Sequence, residues 1–424
     1  MTVARVRPGI ASGRLRAPGS KSYTHRALVA GHLAHRTYRI DRPLRSEDTL
    51  ATVGAVRALG SHVSLGQDRW IVSPPADDPR RATTIDCGES GTTLRFSCAL
   101  AALGRRRVRL TGRGRLPIRP MRVLSEALRA LGASVDPRSG RAGLPMTVQG
   151  PIHGGPLWID ASESSQFVSA LLLALPTVRP DSTLRLEDDP VSAPYIEATL
   201  AVLSASGIRI DRAGRRFDIP GGQSYRGRGF VVPGDASSAA YLWAAAAISG
   251  GTAIVDGVSD AWPQADLAVL DLLEQFGARV QRRNDSVTVT GGDRRPIRVS
   301  LTGSPDLYPL AGVLAGSAPG RSRLGGAPHV VTKESDRRRA TTDLARAMGA
   351  RVRSHGSDLI IEGTASPRSL HVRGVRDHRV IMSAAVGALV ADRPSTLSDA
   401  DVVRKSFPEF WAYLGTLTGG DRIE

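Results

Sequence analysis

A pattern of short helices rich in small apolar residues returns about every 70 residues along the chain, and few folds accommodate so regular a sequence. The helix starts, at Ser20, Ser90, Ser164, Ala236, Ser304 and Asp377, are 70, 74, 72, 68 and 73 residues apart. A second helical pattern in each copy runs to a glycine: Gly60, Gly132, Gly207, Gly277, Gly349 and Gly415, spaced 72, 75, 70, 72 and 66. Glycine just past a helix supplies the left-handed turn that leads into the next strand. Strand-like segments follow, as in ALGSHV, ALGASV and AMGARV, with FWAYLGTL truncating the series. Arg106 to Leu110 and Ser286 to Val289 alternate as half-buried strands do. Six copies of strands with two helices predict an α/β fold of two domains, three repeats in each. The break at Val231 to Gly234 predicts one domain over 19–232 and a second made of 1–18 plus 233–424, hinged where the chain crosses at Pro18 to Ser20 and again at the break.

A chain of 424 residues with 41% hydrophobic content buries more than one core, in keeping with two domains. The two cysteines, Cys87 and Cys98, have neither a disulfide framework nor zinc spacing around them, which fits a reducing cytoplasm. The opening MTVARVRPGI has no signal-peptide core, and the longest apolar runs are too short to span a bilayer, so a soluble, cytoplasmic protein without membrane partners is expected.

The net charge of +17 creates a field that draws anions. Arginines are scattered over nearly every segment and few aromatics lie among them for base stacking, so a small anionic substrate is favoured over nucleic acid. Of the 57 cationic residues only Lys21, Lys333 and Lys405 are lysines, and each lies inside a polar motif. Lysine is a compact point charge with an adjustable pKa and arginine a permanent planar fork, so these three mark places where an ammonium is needed.

The polar motifs open the small-residue helices: GSKSYTHR, ESGTTLR, SESSQF, DASSAA, SPDLY and DHR. Serine and aspartate there are N-cap residues, DASSAA above all. Several helix N-termini aimed at one cleft would also make an anion site, to which Lys21, Arg26, Arg95, Arg119, Arg337, Arg379 and Lys405 add fixed charge. GSKS is not a nucleotide-binding loop, because Ser20 stands where glycine is required before Lys21. No His and carboxylate cluster has metal spacing, so metal-free chemistry is expected, with phosphate neutralised by Arg, Lys and backbone.

Taken in order, GSKSYTHRAL (19–28), GESGTTLR (88–95), RPM (119–121), SSQF (164–167), SAPY (192–195), PGDASSAAY (233–241), PD (305–306), KESDR (333–337), DHR (377–379) and KSFPEF (405–410) resemble the 5-enolpyruvylshikimate-3-phosphate synthase family of enolpyruvyl transferases. The resemblance covers essentially the whole chain. It implies a two-domain inverse α/β barrel-like fold of six βαβαββ units closing like a clam shell on an interdomain site. The implied reaction moves the enolpyruvyl group of phosphoenolpyruvate to the 5-hydroxyl of shikimate 3-phosphate, with no cofactor, in a monomer.

The same resemblance assigns residues. Ser22, Arg26, Ser164, Ser165, Gln166, Ser192, Tyr195, Asp306 and Lys333 would grip shikimate 3-phosphate, together with Lys21. Lys21, Gly91, Arg119, Gln166, Arg337, Arg379 and Lys405 would hold phosphoenolpyruvate, and Lys21, Asp306 and Glu334 would be catalytic. Addition and elimination through a tetrahedral intermediate needs two proton-handling groups, Asp306 facing the hydroxyl and Glu334 facing C3.

Four positions depart from the family's commoner pattern: Glu89, Phe96, His329 and Val331. An inward Glu89 would need Arg95 or Arg119 as partner. Two other readings are open: a sister transferase acting on a nucleotide sugar or a shikimate analogue, and a basic nucleic-acid-binding protein.

Overall fold

The computed structural model describes residues 2–74, 82–137, 143–420 and 422–423. The chain divides into two compact units, one of residues 19–233 and one of residues 1–18 with 234–424.

The unit of residues 19–233 contains α1 (Lys21–Leu33), α2 (Glu47–Ala58), α3 (Gly91–Ala101), α4 (Arg122–Ala130), α5 (Ser165–Ala174) and α6 (Pro194–Ala205). Its middle repeat shows the plan: Thr83–Asp86, α3, Val108–Thr111, α4, Ser134–Pro137 and Met146–Gln149 give a βαβαββ order. The first two strands pair in parallel across α3, and the last two close the sheet as an antiparallel hairpin. Pro156–Ile159, Ser182–Leu186, Arg216–Ile219 and Asp211–Ala213 repeat that sheet order. In the first repeat the parallel edge strand comes from the far end of the unit, where Gly229–Val231 pairs with Tyr38–Asp41.

The unit of residues 1–18 with 234–424 holds α7 (Ala236–Ser249), α8 (Val269–Phe276), α9 (Tyr308–Ser317), α10 (Arg337–Ala347), α11 (His378–Ala388) and α12 (Phe410–Thr418). Two of its sheets are completed by the N-terminal segment. Gly13–Arg16 pairs in parallel with Thr252–Asp256, and Val3–Val6 lies antiparallel on Ser395–Ser398, the strand that the truncated sixth repeat leaves without a hairpin. The remaining sheet, of Arg298–Ser300, Gly320–Gly325, Asp358–Gly363 and Arg351–His355, follows the common order.

Composition separates the two kinds of helix. In α7, 12 of 14 residues are buried, so the helix is apolar on all sides and belongs at the centre of its unit, packed with α9 and α11. Small residues allow such packing: a Cβ on Gly312 in α9 would come within 2.0 Å of the Thr341 methyl in α10. Helix α4 instead buries one stripe, Val123, Leu124, Ala127 and Leu128, and exposes Arg122 and Glu126.

The glycines after the second helices behave as expected in five repeats, with φ of +112° at Gly60, +104° at Gly132, +75° at Gly207, +107° at Gly277 and +97° at Gly349. Gly415 is the exception and corrects the sequence reading. It lies inside α12, whose left-handed cap is Gly419 at φ +82°. Among the described residues no named strand follows that helix, and Leu417 and Thr418 continue its buried face through Gly415. Both cysteines are buried free thiols. Among the described residues no helix is long and apolar enough to cross a membrane.

Candidate active site

In the unit of residues 19–233 the polar groups gather at the N-terminal ends of α1, α3 and α5. Ser90 and Ser164 cap their helices, accepting from the amides of Thr93 (3.2 Å) and Gln166 (3.3 Å), whereas Ser20 makes no side-chain cap at α1. Lys21, the first residue of α1, donates to Asp48 Oδ2 at 3.0 Å. Asp48 belongs to α2, where Ser46 and Thr49 form a reciprocal capping box that fixes the start of the helix.

Arg95 is buried and donates from Nη1 to Gln166 Oε1 (2.8 Å) and from Nη2 to the Pro120 carbonyl (3.0 Å), while Gln166 Nε2 reaches Thr92 Oγ1 (3.1 Å). A Cβ on Gly91 would meet Nη1 of both Arg95 and Arg119 at 2.6 Å. Two guanidiniums therefore converge on the first residue of α3, and any side chain there would make them shift. Arg26 is also buried and gives its N–H groups to neutral oxygens: Thr199 Oγ1 (2.8 Å), Ser169 Oγ (3.4 Å) and the carbonyls of Ser22 (2.9 Å) and Tyr195 (2.8 Å). Burial lowers its pKa to about 10. Its guanidinium lies 5.5 Å from the centroid of Phe96, so that departure supplies a cation–π face. Ser165 is buried under the start of α5. Ser192 adopts φ +56° just before α6, a left-handed conformation that costs a non-glycine residue about 1–3 kcal/mol and is characteristic of functional turns.

Carboxylates dominate the polar cluster of the other unit. Arg337, the first residue of α10 and 1% exposed, donates from Nε to Asp377 Oδ2 (2.9 Å), from Nη1 to Asp306 Oδ1 (2.6 Å) and from Nη2 to Glu334 Oε2 (2.9 Å). Arg379, in the first turn of α11, holds the other oxygen of Asp306 at 3.0 Å, and its guanidinium lies 6.0 Å from the Tyr241 centroid. Asp377 is the fully buried cap of α11 and also accepts from Ser335 Oγ (2.8 Å). Burial alone would protonate Asp306, but Arg379, Arg337 and Lys333 outweigh it and hold its carboxyl well below the usual range. Lys405 is buried at the end of a 3-10 turn, Ala400–Lys405, packed on α11. Among the described residues no three His, Cys, Asp or Glu side chains stand together as a metal site, and cations are what both clusters offer an anion.

Three partners escaped sequence reasoning. Asp48 follows a serine cap and carried no signal beyond that role. Thr92 is known only through Gln166. Asp266 sits in a 3-10 turn, Ala265–Ala268, and accepts a short hydrogen bond from Ser237 Oγ. Of the departures, Glu89 has its carboxylate against Gly114, where a Cβ would stand 2.7 Å from it, while Arg95 gives its Nη groups to Gln166 and Pro120. His329 is buried, and among the described residues neither ring nitrogen has a hydrogen-bond partner. Burial, then Lys333, pushes its pKa down to about 4, so the ring is neutral.

The EPSP synthase (3-phosphoshikimate 1-carboxyvinyltransferase) family model matches residues 7–414. The chain belongs to the EPSP synthase family. A 3-phosphoshikimate 1-carboxyvinyltransferase of Thermococcus kodakarensis is 42% identical over 96% of this chain and 97% of its own length. One from Methanocorpusculum labreanum is 39% identical over 94% of both chains. A solved EPSP synthase from Acinetobacter baumannii superposes with a TM-score of 0.82 at 25% identity, covering 100% of this chain and 99% of that one. The family's two-domain fold of repeated units is thus the fold of this chain, and the two clusters are its EPSP synthase polar motifs in folded form.

Proposed function

We propose that this chain transfers the enolpyruvyl group from phosphoenolpyruvate to the 5-hydroxyl of shikimate 3-phosphate, releasing phosphate, on the route to chorismate and the aromatic amino acids. The observation that carries the reading is identity of 42% and 39% across nearly the whole chain to proteins described as 3-phosphoshikimate 1-carboxyvinyltransferases.

Shikimate 3-phosphate has a phosphate, a carboxylate and two free hydroxyls. Lys21, Ser22, Arg26, Ser164, Ser165, Gln166, Ser192 and Tyr195 supply the hydroxyls, amide and cations that such a ligand needs, with Asp306 and Lys333 completing the set. Phosphoenolpyruvate is a smaller and more concentrated anion. Lys21, the amide of Gly91, Arg119, Gln166, Arg337, Arg379 and Lys405 offer it charge.

Chemically, Asp306 takes the proton of the attacking hydroxyl, Glu334 delivers a proton to C3 and later removes one, and Lys21 supports the departing phosphate. As the free protein stands, Asp306 is a poor base because Arg337 and Arg379 stabilise its charge. Substrate anions that draw those N–H groups away reverse this: burial then dominates and the proton affinity of Asp306 rises. Anion binding thus prepares the base. The enzyme is read as a cytoplasmic monomer that needs no cofactor.

The test is a phosphate-release assay with phosphoenolpyruvate and shikimate 3-phosphate. Release that needs both substrates and yields the enolpyruvyl ether is the expected result. Release with a nucleotide sugar and none with shikimate 3-phosphate overturns the reading.

A further inference from the structure

Arg379 lies in the field of three carboxylates, Asp306, Asp266 and Asp235. Asp306 takes its Nη2, and Asp266 lies 1% exposed in the 3-10 turn Ala265–Ala268. The two are linked through Ser237 of α7, which donates its hydroxyl to Asp266 Oδ2 and offers its carbonyl to Arg379 Nη1 at 3.5 Å. The other carboxyl oxygen, Asp266 Oδ1, is buried with no hydrogen-bond partner among the described residues. An ionised carboxylate normally accepts on both oxygens, and an unpartnered buried oxygen is costly while it is charged. Protonated, the same group stays bonded to Ser237 through Oδ2 and carries the proton on Oδ1.

We propose that Asp266 is a proton acceptor that couples anion capture at Arg379 to uptake of a proton on its buried carboxyl. This rests on the reading of Arg379 as an anion-binding residue. Before the anion arrives, Arg379 offsets the charge of Asp266. Once a phosphate or carboxylate occupies Arg379, a further negative charge stands within the cluster, and a buried, half-bonded carboxylate beside it must be neutralised. The proton comes from solvent and ends on Oδ1, and no bond other than O–H forms.

The surroundings set the range in which this happens. Burial, Asp306 from the turn at Pro305–Leu307 and Asp235 at the cap of α7 push the pKa of Asp266 up, to about 6, against the opposing pull of Arg379 from α11 and the Ser237 hydroxyl. At about pH 7 the free protein therefore holds Asp266 mostly ionised and able to take up a proton. Linkage is reciprocal, so acidification that protonates Asp266 must also tighten the anion.

Sulfate is the probe, because it does not titrate near neutrality. Calorimetry of sulfate binding at pH 7 in two buffers of different ionisation enthalpy reads the protons taken up. The wild type is expected to take up a sizeable fraction of one proton, roughly half or more. Asp266→Asn keeps an acceptor for Ser237 but carries no charge, and is expected to lose that uptake while binding sulfate about two- to tenfold more tightly. Equal uptake in both proteins, no uptake in the wild type, or weaker sulfate binding by the variant would overturn the inference. The phosphate-release assay, run in parallel, separates the two readings. Uptake without turnover defeats the proposed reaction and leaves the coupling standing, whereas turnover with identical uptake in the two proteins does the reverse.

Discussion

The two units share a repeat but solve the burial of charge in opposite ways. In residues 19–233 the caps of α1, α2, α3 and α5 are Ser20, Ser46, Ser90 and Ser164, and the buried arginines Arg26 and Arg95 bond to hydroxyl, amide and carbonyl oxygens. In the other unit the caps of α7, α10 and α11 are Asp235, Asp336 and Asp377, and Arg337 meets three carboxylates. At α1, α3 and α5, whose first turns hold no acidic residue, neutral caps leave the positive helix ends uncompensated, which suits a polyol phosphate held by many weak donors. Aspartate caps offset the dipole and tie up the arginines until a stronger anion competes. The first arrangement favours a standing receptor, the second a set of charges that rearranges as the reaction proceeds.

The severest way to break this comparison is to remove one arginine from each unit. Arg337→Met removes the guanidinium that Asp306, Glu334 and Asp377 share, and breaking a buried ion pair from one side costs about 3–5 kcal/mol. Arg95→Met takes a donor from the neutral oxygens of Gln166 and Pro120, an expected loss of about 1–3 kcal/mol. Urea denaturation of both variants checks the order, and equal losses would mean that the carboxylates do not distinguish the units.

Turnover gives the next largest effect. Lys21→Arg keeps the charge at the start of α1 but replaces a point ammonium, 3.0 Å from Asp48, with a broad fork. A fall in kcat of at least about 100-fold is expected, since an ångström of displacement has that consequence. Glu334→Gln should likewise stall turnover, while calorimetry still finds both ligands bound. Near-normal kcat in either variant removes that residue from the chemistry.

Gly91→Ala is milder. The added Cβ meets both guanidiniums at 2.6 Å, and side-chain ends can shift where backbone cannot. The expected result is a rise of about tenfold in KM for phosphoenolpyruvate with a smaller change in kcat, as uniform binding is lost. Unchanged KM would place the ligand away from α3.

Much of this was legible in the sequence, for physical reasons that also explain what was not. Small-residue helices buried on all sides and glycines in left-handed turns are strong periodic signals, so repeats could be counted and five of six turns placed. Gly415 failed because α12 runs on through it to Gly419, and spacing alone does not reveal that. Ser20, Ser90, Ser164 and Asp377 were found as helix starts, yet the networks above them depend on long-range partners. Lys21 and Asp48 are 27 residues apart, Arg95 and Gln166 71, and Arg379 and Asp306 73. Asp266 was missed altogether, since a lone acid before Leu267 carries no pattern; its role depends on burial and on Ser237.

Acid offers the gentlest test of the contrast, and its sign differs between residues. The folded pKa of Asp306 is depressed, so its contribution to stability is complete above the unfolded carboxylate range, about pH 4, and is lost as pH falls through the lower folded value. Asp266 is raised, to about 6, and so opposes folding more as pH climbs between its unfolded and folded values; its protonation partly offsets the onset of acid loss. In residues 19–233 the groups that answer Arg26 and Arg95 are Thr199, Gln166 and backbone carbonyls, which take up no proton in that range, and Asp48 against Lys21 is a single ion pair. Below about pH 4 the unit holding Asp306 should therefore lose hydrogen-exchange protection first, with α7, α9 and α11 leading α1, α3 and α5. Loss of protection in the reverse order would mean that the carboxylate cluster is not what distinguishes the two halves.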